Sequence, residues 1–408
     1  MKQITMYALF ITSVVLFWIN LSNAQDSTVT TNRVVRANTQ FGFNLFSKLR
    51  QRDGAKNIFI SPASISLALA MTYNGAEGST QEAMSTTLGL ANMSMQEVNA
   101  SCESLMSVMS HPDSSVQLLI ANSLWAAKGI PFKEDFLERT KAYYQAEVEN
   151  LDFADPSSPE KINEWVSTHT QGKIKSIVES IPGDAILYLL NAIYFKGNWS
   201  KKFDEKMTHE KDFHLPGGGE KKVQMMSQSG HYQYLHGNNF QAVSLPYGNG
   251  RISLYIILPD SGIGISEFYR KGFGPHKWNI WMSDLRTMEG SIRLPRFKIE
   301  NDLILNDALD SLGMGEAFSK SRANFSGMVR LGKTEIVYIS EVRHKTFVEV
   351  NEKGSEAAAV TEVRMGMEAS AIHFLEPHFN MVVDRPFFCA IRDNTTGLLL
   401  FIGSIVDP

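Results

Sequence analysis

The chain has 408 residues, of which 43% are hydrophobic, 10% aromatic and 20% charged. That is globular composition, and it excludes a disordered chain, a collagen-like repeat and a small disulfide scaffold. Its 39 basic and 43 acidic side chains leave a formal charge of -4, too balanced to suggest nucleic acid or an anionic membrane as partner. The two cysteines, Cys102 and Cys389, cannot carry a disulfide framework, and a chain this long buries enough apolar surface without one.

Lys2 precedes an almost uninterrupted apolar run from Met6 to Ile19. A polar stretch from Asn20 to Ala24 follows, with small residues where a signal peptidase reads. The run is short for a bilayer span, so residues 1–24 read as a cleaved secretory signal, with an uncleaved anchor as the competing reading. The mature chain, 25–408, is then expected to be secreted, or periplasmic or otherwise exported if bacterial. It has no internal repeat and no Pro/Ser-rich linker, which predicts one domain and a monomer.

Along the chain, Gln40 to Arg50 has helical apolar spacing. Ser61-Pro62 followed by Ala63 to Tyr73 predicts a capped helix that is apolar nearly all round, hence buried. Asn74-Gly75-Ala76 ends it, and Ser79-Thr80 opens another helix. Val116 to Ala127 is strand-like, and Pro159 to Val178 resumes helical spacing. Leu187 to Phe195 is an apolar run broken only by Asn191, the mark of a strand buried on both faces. Val243 to Pro246 and Ile252 to Leu258 are further strands. Ser291 to Ile299 alternates, Ala308 to Leu312 reads as a short helix, and Ile336 to Val350 alternates again. Two apolar strands, Phe387 to Ile391 and Leu398 to Ile405, close the chain around the turn Asp393 to Gly397. Without βαβ regularity, the expected fold class is mixed α/β (α+β) with largely antiparallel sheets.

Catalytic chemistry is hard to find. There is no Gly-x-Ser-x-Gly elbow and no phosphate loop. His209-Glu210 lacks the second histidine of a zinc helix, since residue 213 is Phe213. Gly262-Ile263-Gly264 reads as a turn, and Cys389 as a buried thiol in an apolar strand rather than a nucleophile. No histidine pair sits at ligand spacing beside a cysteine, so neither a metal nor another cofactor is expected. Ser94 to Ser110 carries Glu97 and Glu103 but no Lys or Arg, which makes it a poor polyanion-binding helix. Asn92, Asn99, Asn324 and Asn394 head sequons open to sugar in a eukaryotic secretory route.

The segment between Val350 and Pro386 is odd for a connection. Ser355, Ala357, Ala359, Thr361, Val363, Met365 and Met367 are small or apolar at every second position. Every charge falls on the alternate set, Glu356, Ala358, Val360, Glu362, Arg364, Gly366 and Glu368. That is the period of a strand with one face in a core. The pattern alone leaves two readings open: an Ala-rich surface helix, for which Glu-Ala-Ala-Ala has good propensity, or an exposed loop carrying the sequence of a strand it can become.

The run Val348-Glu349-Val350-Asn351-Glu352-Lys353-Gly354-Ser355-Glu356-Ala357-Ala358-Ala359-Val360 closely resembles the hinge of the serpin family of protease inhibitors. Asn57 to Ile65, Asn191 to Trp199, Val223 to Met226, Leu294 to Phe297, Asp384 to Phe388 and Leu400 to Gly403 resemble further serpin blocks in the family's order. The resemblance spans nearly the whole mature chain. It implies three β-sheets with surrounding helices and an exposed reactive loop, here about 354–380, and a protein that is an inhibitor and not an enzyme.

In that family a protease attacks the loop as substrate and forms an acyl-enzyme. The cut loop then enters the central sheet as a new strand and drags the enzyme with it, an established case of strand addition releasing stored strain. About fourteen extended residues reach roughly 45 Å. The hinge Gly354, Ser355, Glu356, Ala357, Ala358, Ala359 and Val360 has no proline and no large residue on its core side, so an active inhibitor is expected. By resemblance, Glu352 pairs with Arg296 beneath Trp199 where the loop enters. Ser61, Ser64, Asn191 and His344 form a buried hydrogen-bond cluster where the central strands part. Counting fifteen residues from Gly354 puts the scissile bond at Glu368-Ala369, with Met367-Glu368 and Ala369-Ser370 as alternatives. Glu before Ala points to an elastase-like or Glu-tolerant serine protease. A non-inhibitory carrier or chaperone, and an inhibitor of cysteine proteases, are the competing functions.

Overall fold

The computed structural model describes residues 32–110, 113–330, 332, 336–355 and 378–408. The helices are α1 (32–53), α2 (Pro62–Tyr73), α3 (Gly78–Leu88), α4 (Met95–Ser110), α5 (Glu134–Tyr144), α6 (Ser158–His169), α7 (Ile265–Arg270), α8 (Pro275–Asp284) and α9 (Asn306–Leu309). The strands begin with β1 (Ile58–Ile60), β2 (Val116–Ala127), β3 (Glu147–Leu151), β4 (Leu187–Asn198) and β5 (His209–His214). They continue with β6 (Glu220–Gly237), β7 (Phe240–Pro246), β8 (Ile252–Pro259), β9 (Arg286–Pro295) and β10 (Phe297–Ile304). The last are β11 (Ile339–Asn351), β12 (Gly354–Ser355), β13 (Phe379–Val382), β14 (Phe387–Asp393) and β15 (Leu399–Ile405).

Six strands form one sheet in the order β10-β11-β12-β4-β2-β3, and the other nine form a second. Of the three sheets expected, two are joined here because the 18-residue β6 belongs to both: its first residues pair with β5, Met225 to Tyr234 with β9, and its last residues with β7. In the six-stranded sheet β4 is the spine. It pairs antiparallel with β2 along eleven residues and parallel with β11 from Leu187 to Tyr194. Its residues Leu187 to Phe195 are buried throughout, as a strand covered on both faces must be.

Helix α2 lies inside the molecule, with only Ser66 less than buried. Ser61 caps it, its Oγ accepting from the Ser64 N–H at 3.2 Å, and Pro62 takes the first turn, where its missing N–H costs nothing. This places the cap against the rear of β11, since Thr346 Oγ1 donates to the Phe59 carbonyl at 2.8 Å.

Three expectations need correction. The helical run from Pro159 stops at His169. Gln171 and Gly172 take φ of 52° and 74°, and Asn163 Oδ1 collects the Ile177 and Val178 N–H groups, so Ile174, Ile177 and Val178 reach the core without a helix. The alternating run Ser291 to Ile299 is two strands in two sheets. It divides after Pro295, where the Arg296 N–H turns to the Gln224 carbonyl at 2.8 Å. The helix expected over Ala308 to Leu312 is Asn306–Leu309, which runs on into a wider π-type turn over Asp310–Met314 that holds Gly313 at φ 105°. Among the sequons, Asn99 is closed to sugar in the folded chain: it is 4% exposed and bonded to Asn74 and Tyr144.

Candidate functional site

The site is built where β11 turns back on itself. Strand β11 ends at Asn351, Glu352-Lys353 make a two-residue turn, and Gly354-Ser355 return as β12. β12 is antiparallel to β11 on one side (Val350 opposite Ser355) and to β4 on the other (Gly197 opposite Ser355). Two residues of a new strand therefore already lie between β11 and β4. Gly354 has φ +148°, and a Cβ there would lie 2.0 Å from the Gly197 carbonyl oxygen. Only glycine fits so close an approach. Ser355 is fully buried, its hydroxyl 2.7 Å from that of Tyr247. Burial raises the Tyr247 phenol well above its ordinary range, so the contact is between two neutral hydroxyls.

The turn is clamped from several elements. Arg296 Nε donates to both Glu352 carboxylate oxygens, at 2.8 and 2.9 Å, with its Nη2 at 2.6 Å, and Thr208 Oγ1 donates to the same carboxylate. Burial by itself would raise the Glu352 carboxyl, but the bonds from Arg296 and Thr208 outweigh it and hold the group below its usual range. Trp199 Nε1 donates to the Asn351 carbonyl at 2.9 Å and its backbone N–H to Lys353, while Phe203 N–H reaches the Glu352 carbonyl. The Trp199 ring stacks on Tyr247 at 4.4 Å and 9°.

Lower on the same seam, His344 of β11 faces Asn191 of β4. The imidazole Nε2 accepts the Ser61 N–H at 3.1 Å, so its proton is on Nδ1, donated to Asn191 Oδ1. The Asn191 amide donates to Ser64 Oγ and to Asn122 Oδ1. Burial pushes the imidazole down to about 3, against a smaller opposing effect from Asn191. His344 is thus a neutral rivet tying β11, β4, β2 and the cap of α2.

The structure brings Glu352, Arg296 and Trp199 into one group, and Ser61, Ser64, Asn191 and His344 into another. Tyr247, Thr208 and Asn122 were not singled out from the sequence. Tyr247 follows β7 as one more aromatic in an apolar run, with nothing local to mark it. Asn122 was legible in principle, as an amide set inside the largely apolar stretch Leu118 to Trp125. The hinge residues Glu356, Ala357, Ala358, Ala359 and Val360, and the candidate bond residues Met367, Glu368, Ala369 and Ser370, lie outside the described residues, as do residues 1–24. Cys389 is fully buried with its thiol pushed up by burial, an inert core residue. No group of three or more metal-ligating side chains occurs among the described residues.

Comparison with known proteins is consistent across the chain. Residues 36–408 match the family model described as Serpin (serine protease inhibitor). The human protein named leukocyte elastase inhibitor is 36% identical over 384 residues, covering 91% of this chain and 98% of its own. Among solved structures, the thermophilic serpin tengpin in its native state superposes with a TM-score of 0.83 at 33% identity, over 92% of this chain and 94% of that one. Human thyroxine-binding globulin gives 0.84 at 30% identity, over 93% and 99%.

Proposed function

Since the chain belongs to the serpin family of protease inhibitors, and is not an enzyme, we propose that it is a secreted suicide substrate that traps a serine protease by strand insertion. The supporting observation is the seating of Gly354 and Ser355 as a strand between β11 and β4. From there, continued entry requires only that a parallel seam of eight paired positions part. The small core-side residues that follow, Ala357 and Ala359, suit a strand entering between two others. Glu368-Ala369 is the bond we assign to the attacking enzyme, and an elastase-like or Glu-tolerant protease is the matching target. Export rests on the leader-like residues 1–24; no described helix is long and apolar enough to cross a membrane.

Thyroxine-binding globulin shares the fold at a similar TM-score, so architecture alone does not separate inhibitor from carrier. The purified chain, incubated with a panel of elastase-like, Glu-specific and papain-like proteases, decides it. An SDS-stable complex with a serine enzyme, and a large rise in melting temperature after loop cleavage, are expected. Cleavage with neither would leave the carrier or chaperone reading, and a complex with papain-like enzymes alone would move the target class.

A further inference from the structure

Strands β11 and β4 stay hydrogen-bonded to each other up to one last pair, Phe347 opposite Tyr194, and only above it does β12 come between them. The two rings of that pair lie 5.9 Å apart, tilted by 33°. They stand on the face away from the main core. Phe195, the next residue of β4, points the other way, against Tyr247 at 5.1 Å and Phe401 at 5.8 Å. Each ring also carries a cation from a third element: Lys173, in the segment after α6, is 5.5 Å from the Tyr194 centroid, and Lys298 of β10 is 5.1 Å from that of Phe347.

The register says what this pair meets next. Gly354 is opposite Asn198 and Asn351, and Ser355 is opposite Gly197 and Val350. Three further residues in the same register place position 358 between Tyr194 and Phe347. Because successive residues alternate faces, its side chain arrives on the face of the two rings, opposite to that of Ser355. Residue 358 is Ala358, small enough to pass.

Resting on the strand-insertion reading above, we propose that the Tyr194–Phe347 pair is a latch that sets how fast the strand advances beyond Ser355. The ring contact bridges the seam directly ahead of the seated hinge, so it must break before position 358 takes its place. Lys173 and Lys298 each hold one ring from its own side of the seam, fixing the two rings in the orientation of their contact. Once the strand is in, the rings stand two strand spacings apart and their contact no longer exists. The latch therefore stabilises the intact molecule only.

The test uses the full chain and a synthetic peptide with the sequence of residues 355–367, whose annealing is followed by native gel and thermal melt. Phe347→Val is expected to speed annealing roughly tenfold, the rate change for about 1.4 kcal/mol of lost barrier. Lys298→Gln should act in the same direction but less. The melting temperature of the protease-nicked form should be the same in Phe347→Val as in the unmodified chain. Equal annealing rates for the variants and an annealing-competent parent would overturn the latch. So would Phe347→Val lowering the intact and nicked melts alike, which marks ordinary packing. A parent that neither anneals the peptide nor gains heat resistance on nicking would remove the insertion reading and the latch with it.

Discussion

The hydroxyls of Ser355 and Tyr247 meet at 2.7 Å where neither residue has any solvent exposure. One belongs to the two-residue strand β12 and the other to the segment after β7, so the contact ties the hinge to the second sheet. Neither hydroxyl has water to fall back on, and an unpaired buried hydroxyl costs about 1–3 kcal/mol. Tyr247→Phe is therefore expected to unseat the hinge. Limited proteolysis within residues 352–360 should become faster, and a denaturant melt of the intact chain should lose about 1–2 kcal/mol.

Ser355→Arg tests whether this site must admit a strand. A guanidinium does not fit against Tyr247 in a fully buried position. Loop cleavage should proceed at the parental rate while the yield of SDS-stable complex collapses, so that each inhibitor molecule is consumed as plain substrate. An unchanged stoichiometry of inhibition would count against insertion at this seam.

Arg296→Ala removes the donor that holds Glu352. The carboxylate, its side chain 5% exposed, would keep Thr208 but lose its counter-charge. Because the arginine is 44% exposed, solvent tempers the loss, and about 1–2 kcal/mol is expected at neutral pH. Glu352 titrates below its ordinary value in the fold. The stabilisation it brings is therefore present above the ordinary carboxylate range and lost as pH falls through its lowered value. The gap between parent and Arg296→Ala melts should close over that acidic window.

His344 has the same sign for a different reason. Its folded pKa of about 3 lies below the ordinary 6.5, so the unfolded chain takes up the proton first. Stability from the neutral imidazole is complete above pH 6.5 and is lost progressively as pH falls from there toward 3, at up to about 1.4 kcal/mol per pH unit. His344→Gln should be less stable at pH 8, because the Ser61 and Asn191 bonds are disturbed. It should also show a shallower decline below pH 6.5. Parallel pH profiles for parent and variant would refute the assignment of that proton.

Much of the fold was legible because its signals are local. Ser61-Pro62 before an apolar run gives a capped, buried helix wherever the chain goes, and the run Leu187 to Phe195, apolar but for Asn191, admits little but a central strand. The alternation from Ser355 to Met367 marks a strand-compatible segment, though not where such a strand belongs. The errors fall where short-range pattern and chain path part company. Asn163 side-chain bonds let Ile174 to Val178 reach the core without helical turns, and Pro295-Arg296 hands one alternating run from the second sheet to the first.

The sequence by itself marked the capped helix after Ser61, the central strand from Leu187 and the period-two run from Ser355, because each follows from capping, propensity or period within a few neighbours. Only the tertiary structure decided that β12 lies between β11 and β4, that Ser355 meets Tyr247 across 108 residues, and that Phe347 faces Tyr194 across the seam. Such pairings are set by which distant strands share a sheet. No local pattern carries that, because register and neighbour are properties of the packed whole.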